Sequence, residues 1–388
     1  MKRKKIIIIT FRFPFPLNKG DKLRIYYQIK YLAQYHNIYL ISLNTESAIK
    51  KNEKKELEKF CQEVHIINLN IYTRVINVAK AFVNKEPLQV GYFYSKTAHK
   101  KIHNLIQNIN PDYYYSQLIR TSKYLKIYDN NIIDYMDAFS KGVKRRVNKF
   151  PAWLKPIVKY EAKIIEQYET NIFKHFNQHS IITKNDRQHI NHSDSKKIKV
   201  IPNGVDTNYF KPMDNSSKAY DIIFVGNMNY PPNIDAAMYI CNKIKPIIDR
   251  NYKKCKILIG GTNPNKKIKA LQNNDIKVSG WVDDIRSIYS VGKVFVAPMF
   301  IGTGLQNKLL EAMAMGVPCI TTKLANKALL ANTSQIMISN NEKEFAHTCI
   351  NILKNPKKAE KIKNEALKFV RSKYDWNEIN NNLNLMFK

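Results

Sequence analysis

Cysteine is scarce and unpatterned in this chain. Its five cysteines, Cys61, Cys241, Cys255, Cys319 and Cys349, are scattered, odd in number and free of CxxC spacing. That argues against a disulfide framework and fits reduced thiols in the cytosol. Long apolar runs are missing too: no stretch approaches the ~20 uninterrupted apolar residues of a membrane-spanning helix. The start, Met1-Lys2-Arg3-Lys4-Lys5 before Ile6 to Ile9, imitates a signal peptide, but Arg12, Pro14 and Pro16 interrupt the apolar run early. It reads as a buried first strand. Walker A, HExxH and GxSxG patterns are absent as well, which weakens ATPase, metalloprotease and serine-hydrolase readings. A soluble cytoplasmic protein is the expectation.

Negative charge is the other shortage. Only 31 Asp and Glu stand against 64 Lys and Arg, giving a formal net charge of +33 over 388 residues. Residues 1–200 hold 37 basic and 16 acidic residues, an excess of 37 − 16 = 21, which leaves 12 for the remainder. The densest patch is Lys141, Lys144, Arg145, Arg146 and Lys149, followed by Phe150, Trp153, Leu154, Lys155 and Lys159. Cations interleaved with large aromatics suit an anionic membrane surface at the inner face. Nucleic-acid backbone would be attracted as well, yet none of the nucleic-acid modules is recognisable, so nucleic acid is a disfavoured partner. A solvated face born of compositional bias is the third reading.

What is present is enough for a large core: 44% of residues are hydrophobic and 11% aromatic, which excludes wholesale disorder. The length favours two domains. Strands are expected at Lys5–Phe11, Asn37–Leu43, Val64–Leu69, Asp112–Ser116, Asn131–Tyr135, Ser180–Thr183 and Ile198–Ile201, with helical stretches between them. Such alternation implies a parallel sheet covered on both faces. Pro202–Tyr220 is turn-rich and reads as a linker. A second series follows at Asp221–Val225, Cys255–Ile259, Ile276–Val278, Val294–Ala297 and Cys319–Thr321. The economical reading is α/β, two Rossmann-like domains at 1–212 and 213–372, with a C-terminal helix in 373–388 packing back on the first.

Chemistry concentrates after Val294–Ala297. The run Pro298 to Gly316 reads as a strand end, a glycine loop and a helix closed by a glycine. Glycines let backbone amides approach a phosphate, and a helix N-terminus offers unpaired N–H groups at the positive end of its dipole. Lys308 adds a cation one turn inside. Glu311, three residues on and near the same face, places a carboxylate where a ribose diol could donate to it. A lone GxG loop is weak, since any tight strand-to-helix turn can use one, and Glu311 by itself could be a solvated helix residue.

Several ordered motifs carry a resemblance. Val200-Ile201-Pro202-Asn203-Gly204-Val205-Asp206 with Phe210 and Pro212, Gly280-Trp281-Val282 with Asp283 and Asp284, and the Lys308–Gly316 helix resemble glycosyltransferase family 4. The N-terminal Pro14, Pro16, Lys19-Gly20-Asp21 and Arg24 are similar to the loop that opens such enzymes. Phe224-Val225-Gly226-Asn227 through Asn233 and Asn307 through Gly316 resemble the exopolysaccharide-associated sugar transferases among them.

The resemblance implies a GT-B fold with its two domains facing a cleft, a retaining and metal-independent reaction without cofactor, and a nucleotide-diphosphate sugar as donor. It implies Glu311 as the ribose ligand, Gly302, Thr303 and Gly304 against the sugar and diphosphate, Trp281 and Val282 near the base, Gly226 in the donor site and Gly20 at the donor phosphates. Two departures stand out. Thr303 occupies the position of a second family glutamate, and Asn227 and Asn233 stand where the family tends to carry Arg and Lys. Lys308, helped by Arg24, would have to supply the missing charge. Asp137 occupies roughly the place of a family histidine near the acceptor, which makes Asp137 and Lys308 the expected catalytic pair.

Other tempting residues have plainer explanations. His175, His179, His189 and His192 include an i, i+4 pair but no neighbouring cysteine, and read as packing or surface residues rather than a metal site. Tyr113-Tyr114-Tyr115 point to both faces of a strand and fill a core. The expected function is hexosyl transfer from a nucleotide sugar to a glycan or lipid-linked acceptor in cell-surface polysaccharide synthesis. The alternatives are a nucleotide-sugar epimerase of the same architecture and a non-catalytic basic protein that binds anionic membrane or nucleic acid.

Overall fold

The computed structural model describes residues 3–46, 48–213, 217–252, 254–301 and 304–388, with all their side chains but that of Lys149. Gly302 and Thr303 thus lie outside the described residues. The chain divides into two units, one running up to Pro202 and including Ile379–Lys388, the other Asn203–Glu378.

The first unit is built on a seven-stranded parallel sheet, β1 (Lys5–Thr10), β2 (Asn37–Asn44), β3 (Cys61–Asn68), β4 (Tyr113–Gln117), β5 (Asn131–Asp134), β6 (Gln178–Ile181) and β7 (Lys199–Val200). Its order is β3-β2-β1-β4-β5-β6-β7. Ile6 to Ile9 are fully buried without alternation, as a central parallel strand covered on both faces requires. The tyrosine triplet packs as expected: Tyr115 is enclosed beside Asp134, Tyr114 stacks on Tyr128 at 4.6 Å, and Tyr113 meets Phe387 edge-on. Phe387 belongs to the terminal segment, which is fastened to this unit by His36 to Asn384 (2.7 Å) and Gln178 to the Met386 carbonyl (2.8 Å).

A six-stranded parallel sheet forms the second unit, from β8 (Tyr220–Val225), β9 (Ile257–Gly260), β10 (Ile276–Gly280), β11 (Gly292–Ala297), β12 (Cys319–Thr321) and β13 (Met337–Ile338), in the order β10-β9-β8-β11-β12-β13. The two-residue β13 is too short to show a pattern in the sequence. The division falls after Pro202 rather than near residue 212, and the returning segment begins at Ile379 rather than 373. Backbone bonds explain both shifts. The Val205 amide donates to the Tyr374 carbonyl (2.7 Å), the Trp376 amide donates to the Val205 carbonyl (3.3 Å), and the Thr207 hydroxyl bonds the Asp375 carboxylate. Residues 203–212, read as a linker, are therefore part of the second unit.

Candidate functional site

In both sheets the strand order reverses between the first strand and its later neighbour, β1 beside β4 and β8 beside β11. At such a switch point the two following loops diverge and leave a crevice at the carboxyl ends of the strands, where α/β proteins bind ligands.

In the second unit the crevice is floored by glycines. Gly226 follows β8, and a Cβ there would lie 2.7 Å from the Asn233 side-chain nitrogen. Gly261 follows β9 at φ +122°, where a Cβ would come within 2.0 Å of the Gly226 carbonyl oxygen. Amide bonds from Gly226 to the Gly260 carbonyl (3.0 Å) and from Gly261 to the Gly280 carbonyl (3.2 Å) tie the three strand ends together. Gly260-Gly261 did not emerge from the motif reading. Its signal is the glycine pair directly after a predicted strand.

The helix Asn307–Ala314 follows β11, and its N-cap residue Gln306 makes no side-chain capping bond to the first-turn amides. Lys308 is half-buried in the first turn, with Nζ 4.8 Å from the Phe224 ring centroid and bonded to the Asn233 Oδ1. Asn233 in turn donates to the Asn227 carbonyl at 3.0 Å. Asn233 therefore holds and aims Lys308, and is itself held by the backbone of Asn227. Burial lowers the Lys308 ammonium to about 8, with Glu311 acting in the opposite sense. An ammonium this poorly compensated favours an incoming anion.

Glu311 sits one turn further on. Its Oε2 accepts a 2.7 Å bond from the buried Tyr289 hydroxyl, and no described residue partners Oε1. Burial raises the Glu311 carboxyl, while the Tyr289 hydroxyl and Lys308 pull it back. Tyr289 fixes the carboxylate so that one oxygen stays available. Sequence reasoning missed this residue, because a tyrosine in the short helix Arg286–Ser290 carries no motif of its own. Trp281, 66% exposed, and the half-buried Val282 follow Gly280 at the end of β10, and Gly304 is exposed with open space around its Cα.

In the first unit Gly20 opens the helix Gly20–Leu32 and is exposed. Arg24 requires a correction. It is fully buried, with Nε 2.6 Å and Nη2 3.2 Å from the two Asp134 carboxylate oxygens and Nη1 donating to the carbonyls of Ile201 (2.9 Å) and Pro202 (3.2 Å). This arginine locks β5 and the end of the unit's chain together instead of presenting charge to a ligand. Besides Arg12, whose guanidinium lies over the Phe11 ring at 4.4 Å, a cation at this unit's crevice is Arg120, which follows β4 and lies over the rings of Phe11 (4.6 Å) and Phe139 (5.2 Å). Its Nε donates to Gln89 at 3.0 Å, and burial with Arg12 nearby lowers it to about 10.

Asp137 follows β5, one residue after Met136 at φ +61°. It reaches solvent, yet surrounding protein and the nearby Asp186 push its carboxyl up to about 6, against the pull of Arg120 and Arg146. Asp137 and Arg120 thus form an acid and a cation that sense one another. His179 stacks on Phe173 at 3.8 Å and bonds the Phe173 carbonyl, which makes it a packing residue. Among the described residues no group of three or more metal-ligating side chains is gathered, and no helix is long and apolar enough to cross a membrane.

Residues 219–355 match the family model described as glycosyl transferases group 1. Over 96% of both chains, the protein is 25% identical to an uncharacterized 44.6 kDa protein in the cps region of Klebsiella pneumoniae. It is 29% identical over 159 residues, 36% of this chain and 40% of the relative, to the UDP-Gal:alpha-D-GlcNAc-diphosphoundecaprenol alpha-1,3-galactosyltransferase of Escherichia coli. Among solved structures, a glycosyltransferase from Rickettsia africae superposes with a TM-score of 0.69 at 16% identity, covering 100% of this chain and 98% of that one. Anabaena HepE in complex with UDP and glucose gives 0.67 at 14% identity, covering 99% of each. The fold is GT-B, and the match to the glycosyl transferases group 1 model falls within the second unit.

Proposed function

We propose that this protein is a retaining glycosyltransferase that moves a sugar from a nucleotide-diphosphate sugar to a glycan or lipid-linked acceptor in surface-polysaccharide synthesis. The observation that carries the reading is the pairing, on one helix, of an aimed cation and a half-engaged carboxylate beside a glycine floor at the second unit's switch point. A diphosphate and a ribose present complementary groups in that order. The relative from a cps region and the diphosphoundecaprenol-linked acceptor named for the Escherichia coli enzyme support the acceptor class. The UDP held by the Anabaena neighbour supports a uridine donor.

In this reading Glu311 Oε1 accepts from the ribose, and Trp281 and Val282 offer backbone to the base. Negative charge that develops on the departing diphosphate is met by Lys308 and by the amides of Asn307 and Lys308 at the start of Asn307–Ala314, groups already oriented before the reaction. That arrangement supplies the stabilisation a resident metal would otherwise give. On the first unit, Asp137 accepts a hydrogen bond from the attacking hydroxyl, and Arg120 lies beside it. Retention of configuration is carried over from the family resemblance.

Thermal stabilisation by UDP, GDP, ADP and CMP tests the donor half. A nucleotide at 100 times its dissociation constant adds about 2.7 kcal/mol to the unit that binds it. We expect UDP to stabilise the wild type and to lose most of that effect in Glu311→Gln. Equal silence from all four nucleotides would remove the donor site.

A further inference from the structure

The helix Ile71–Val83 in the first unit is amphipathic in the wrong sense for a helix of a lone globular domain. Ile71, Tyr72, Val75, Ile76, Phe82 and Val83 are all between 51% and 77% exposed. At about 100° per residue these positions, with the exposed Ala79, fall inside a single arc of roughly 140°. The opposite face, which normally carries the apolar stripe, is the polar one. Arg74 is buried, bonded to the Tyr92 hydroxyl with its guanidinium 5.0 Å from the Tyr92 ring centroid, and Asn77 donates to the Tyr94 carbonyl at 2.7 Å. Polar anchoring on the inner side therefore holds the apolar side outward.

This arc does not end with the helix. The Phe82 ring lies 5.8 Å from that of Tyr160, on the helix Lys155–Phe173. Tyr160, Ile157 and Trp153 succeed one another at helical spacing and are 38%, 48% and 73% exposed. Lys155 and Lys159, the end of the basic run noted in the sequence, lie on the same segment as these rings. Cations outnumber free carboxylates here: Lys80, Lys85, Lys155 and Lys159 lie on or beside these segments, while the flanking Glu86 is paired with Lys123 at 2.7 Å and Glu161 accepts from the Leu88 amide at 3.0 Å.

We propose that the helix Ile71–Val83 and the start of Lys155–Phe173 form a docking face that lies in the surface of an anionic lipid bilayer, with the apolar arc sunk at the acyl boundary and the lysines at the headgroups. Charge complementarity selects this occupant. An apolar arc with lysines on its own segments, and with its flanking carboxylates Glu86 and Glu161 already engaged, matches a surface that is greasy beneath and negative above. A protein partner would leave the cations to find acidic residues, and a nucleic acid would leave exposed Val and Ile with nothing apolar to meet. The proposal does not depend on glycosyl transfer, and its test uses neither donor nor acceptor.

The test is co-sedimentation of the full chain with vesicles of phosphatidylethanolamine and phosphatidylglycerol, compared with vesicles of phosphatidylcholine alone, at low and high salt. Wild type should bind the anionic vesicles, with Trp153 emission shifting to the blue and being quenched by brominated acyl chains, a signal lost in Trp153→Phe. The triple variant Tyr72→Ser, Val75→Ser, Val83→Ser changes exposed side chains only and should bind roughly tenfold or more weakly at either salt. Lys155→Glu with Lys159→Glu should weaken binding chiefly at low salt. Undiminished binding by the serine variant, with its melting temperature unchanged, would overturn the proposal. So would absence of vesicle binding by a wild type that sediments as a dimer, with the serine variant sedimenting as a monomer, since the face would then belong to a second copy.

Discussion

At the scale of single residues, the proposed donor site depends on two side chains held in uncomfortable states. Lys308 gives up its proton near 8 because burial opposes its charge. A bound diphosphate would hold that proton on and raise the value. Affinity for a nucleoside diphosphate should therefore be full below pH 8 and fall as pH rises through it, by at most about tenfold per unit, until the bound form also deprotonates. Titration calorimetry from pH 6.5 to 9.5 reads this directly. Lys308→Met should bind more weakly at every pH with a flat profile, and a wild-type profile that is already flat would contradict the assignment. Glu311 and Tyr289 separate binding from stability. Glu311→Gln keeps an oxygen for the Tyr289 hydroxyl and should cost the ribose contact about 1.5–3 kcal/mol of nucleotide affinity with little change in melting temperature. Tyr289→Phe leaves a buried carboxylate oxygen without its donor, so it should lower stability by about 1–3 kcal/mol. A thermal scan alongside the binding measurement distinguishes the two patterns.

On the first unit, Asp137 invites a kinetic test. Its carboxyl ionises near 6, so a role in accepting the acceptor's proton predicts that turnover rises with pH through that value and then levels. Asp137→Asn should lower kcat by roughly a hundredfold or more and leave nucleotide affinity unchanged. Loss of nucleotide binding in that variant would place Asp137 elsewhere in the chemistry.

Elements set these residues in place, and here glycine contacts make a sharp prediction. Gly261→Ala would drive a methyl into the Gly226 carbonyl and Gly226→Ala into the Asn233 amide that aims Lys308. The first should destabilise the second unit by several kcal/mol, since backbone cannot yield, whereas the second should act on nucleotide affinity more than on the melting temperature. Much of this scale was legible in the sequence. Strand runs such as Ile6–Ile9 and Ile222–Val225 are buried on both faces, so their apolar continuity announces a parallel sheet, and the strand-loop-helix around Asn307 announces itself through its glycines and Lys308. Less legible were contacts between distant segments. Nothing in the sequence spacing ties Arg24 to Asp134, Asn233 to Lys308, or Tyr289 to Glu311: the first two pairs form only when strands far apart in sequence are brought together, and the third only when the helices on either side of β11 fold back beside it. The outward face of Ile71–Val83 was hidden for a related reason. Its apolar periodicity is that of an ordinary core helix, and only the buried Arg74 and Asn77 contacts reveal which side faces in.

At the scale of the whole molecule, the proposed function gives the two units different work. The second carries a donor-shaped crevice with its own aimed cation. The first carries Arg120 after β4 and Asp137 after β5, together with the outward apolar arc proposed to meet an anionic bilayer. Excess charge is concentrated in the first unit's sequence, +21 of +33 over residues 1–200, as a surface that meets an anionic bilayer would require. The same distribution makes ionic strength a lever on acceptor access more than on donor binding. With vesicle-borne acceptor, raised salt should lower apparent acceptor affinity while leaving nucleotide affinity nearly constant, which separate titrations at low and high salt would show.

The central claim is glycosyl transfer from a nucleotide sugar. Its most direct measurement is nucleotide release from UDP-sugars by the purified full chain, with and without a polyprenyl-diphosphate-linked sugar, in wild type and Glu311→Gln, with the product analysed for anomeric configuration. The account predicts UDP release that depends on the acceptor, falls sharply in the variant and yields a new glycosidic bond with the donor's configuration retained. Free or epimerised sugar formed without acceptor, or no release from any donor under conditions where the protein binds UDP, would contradict it.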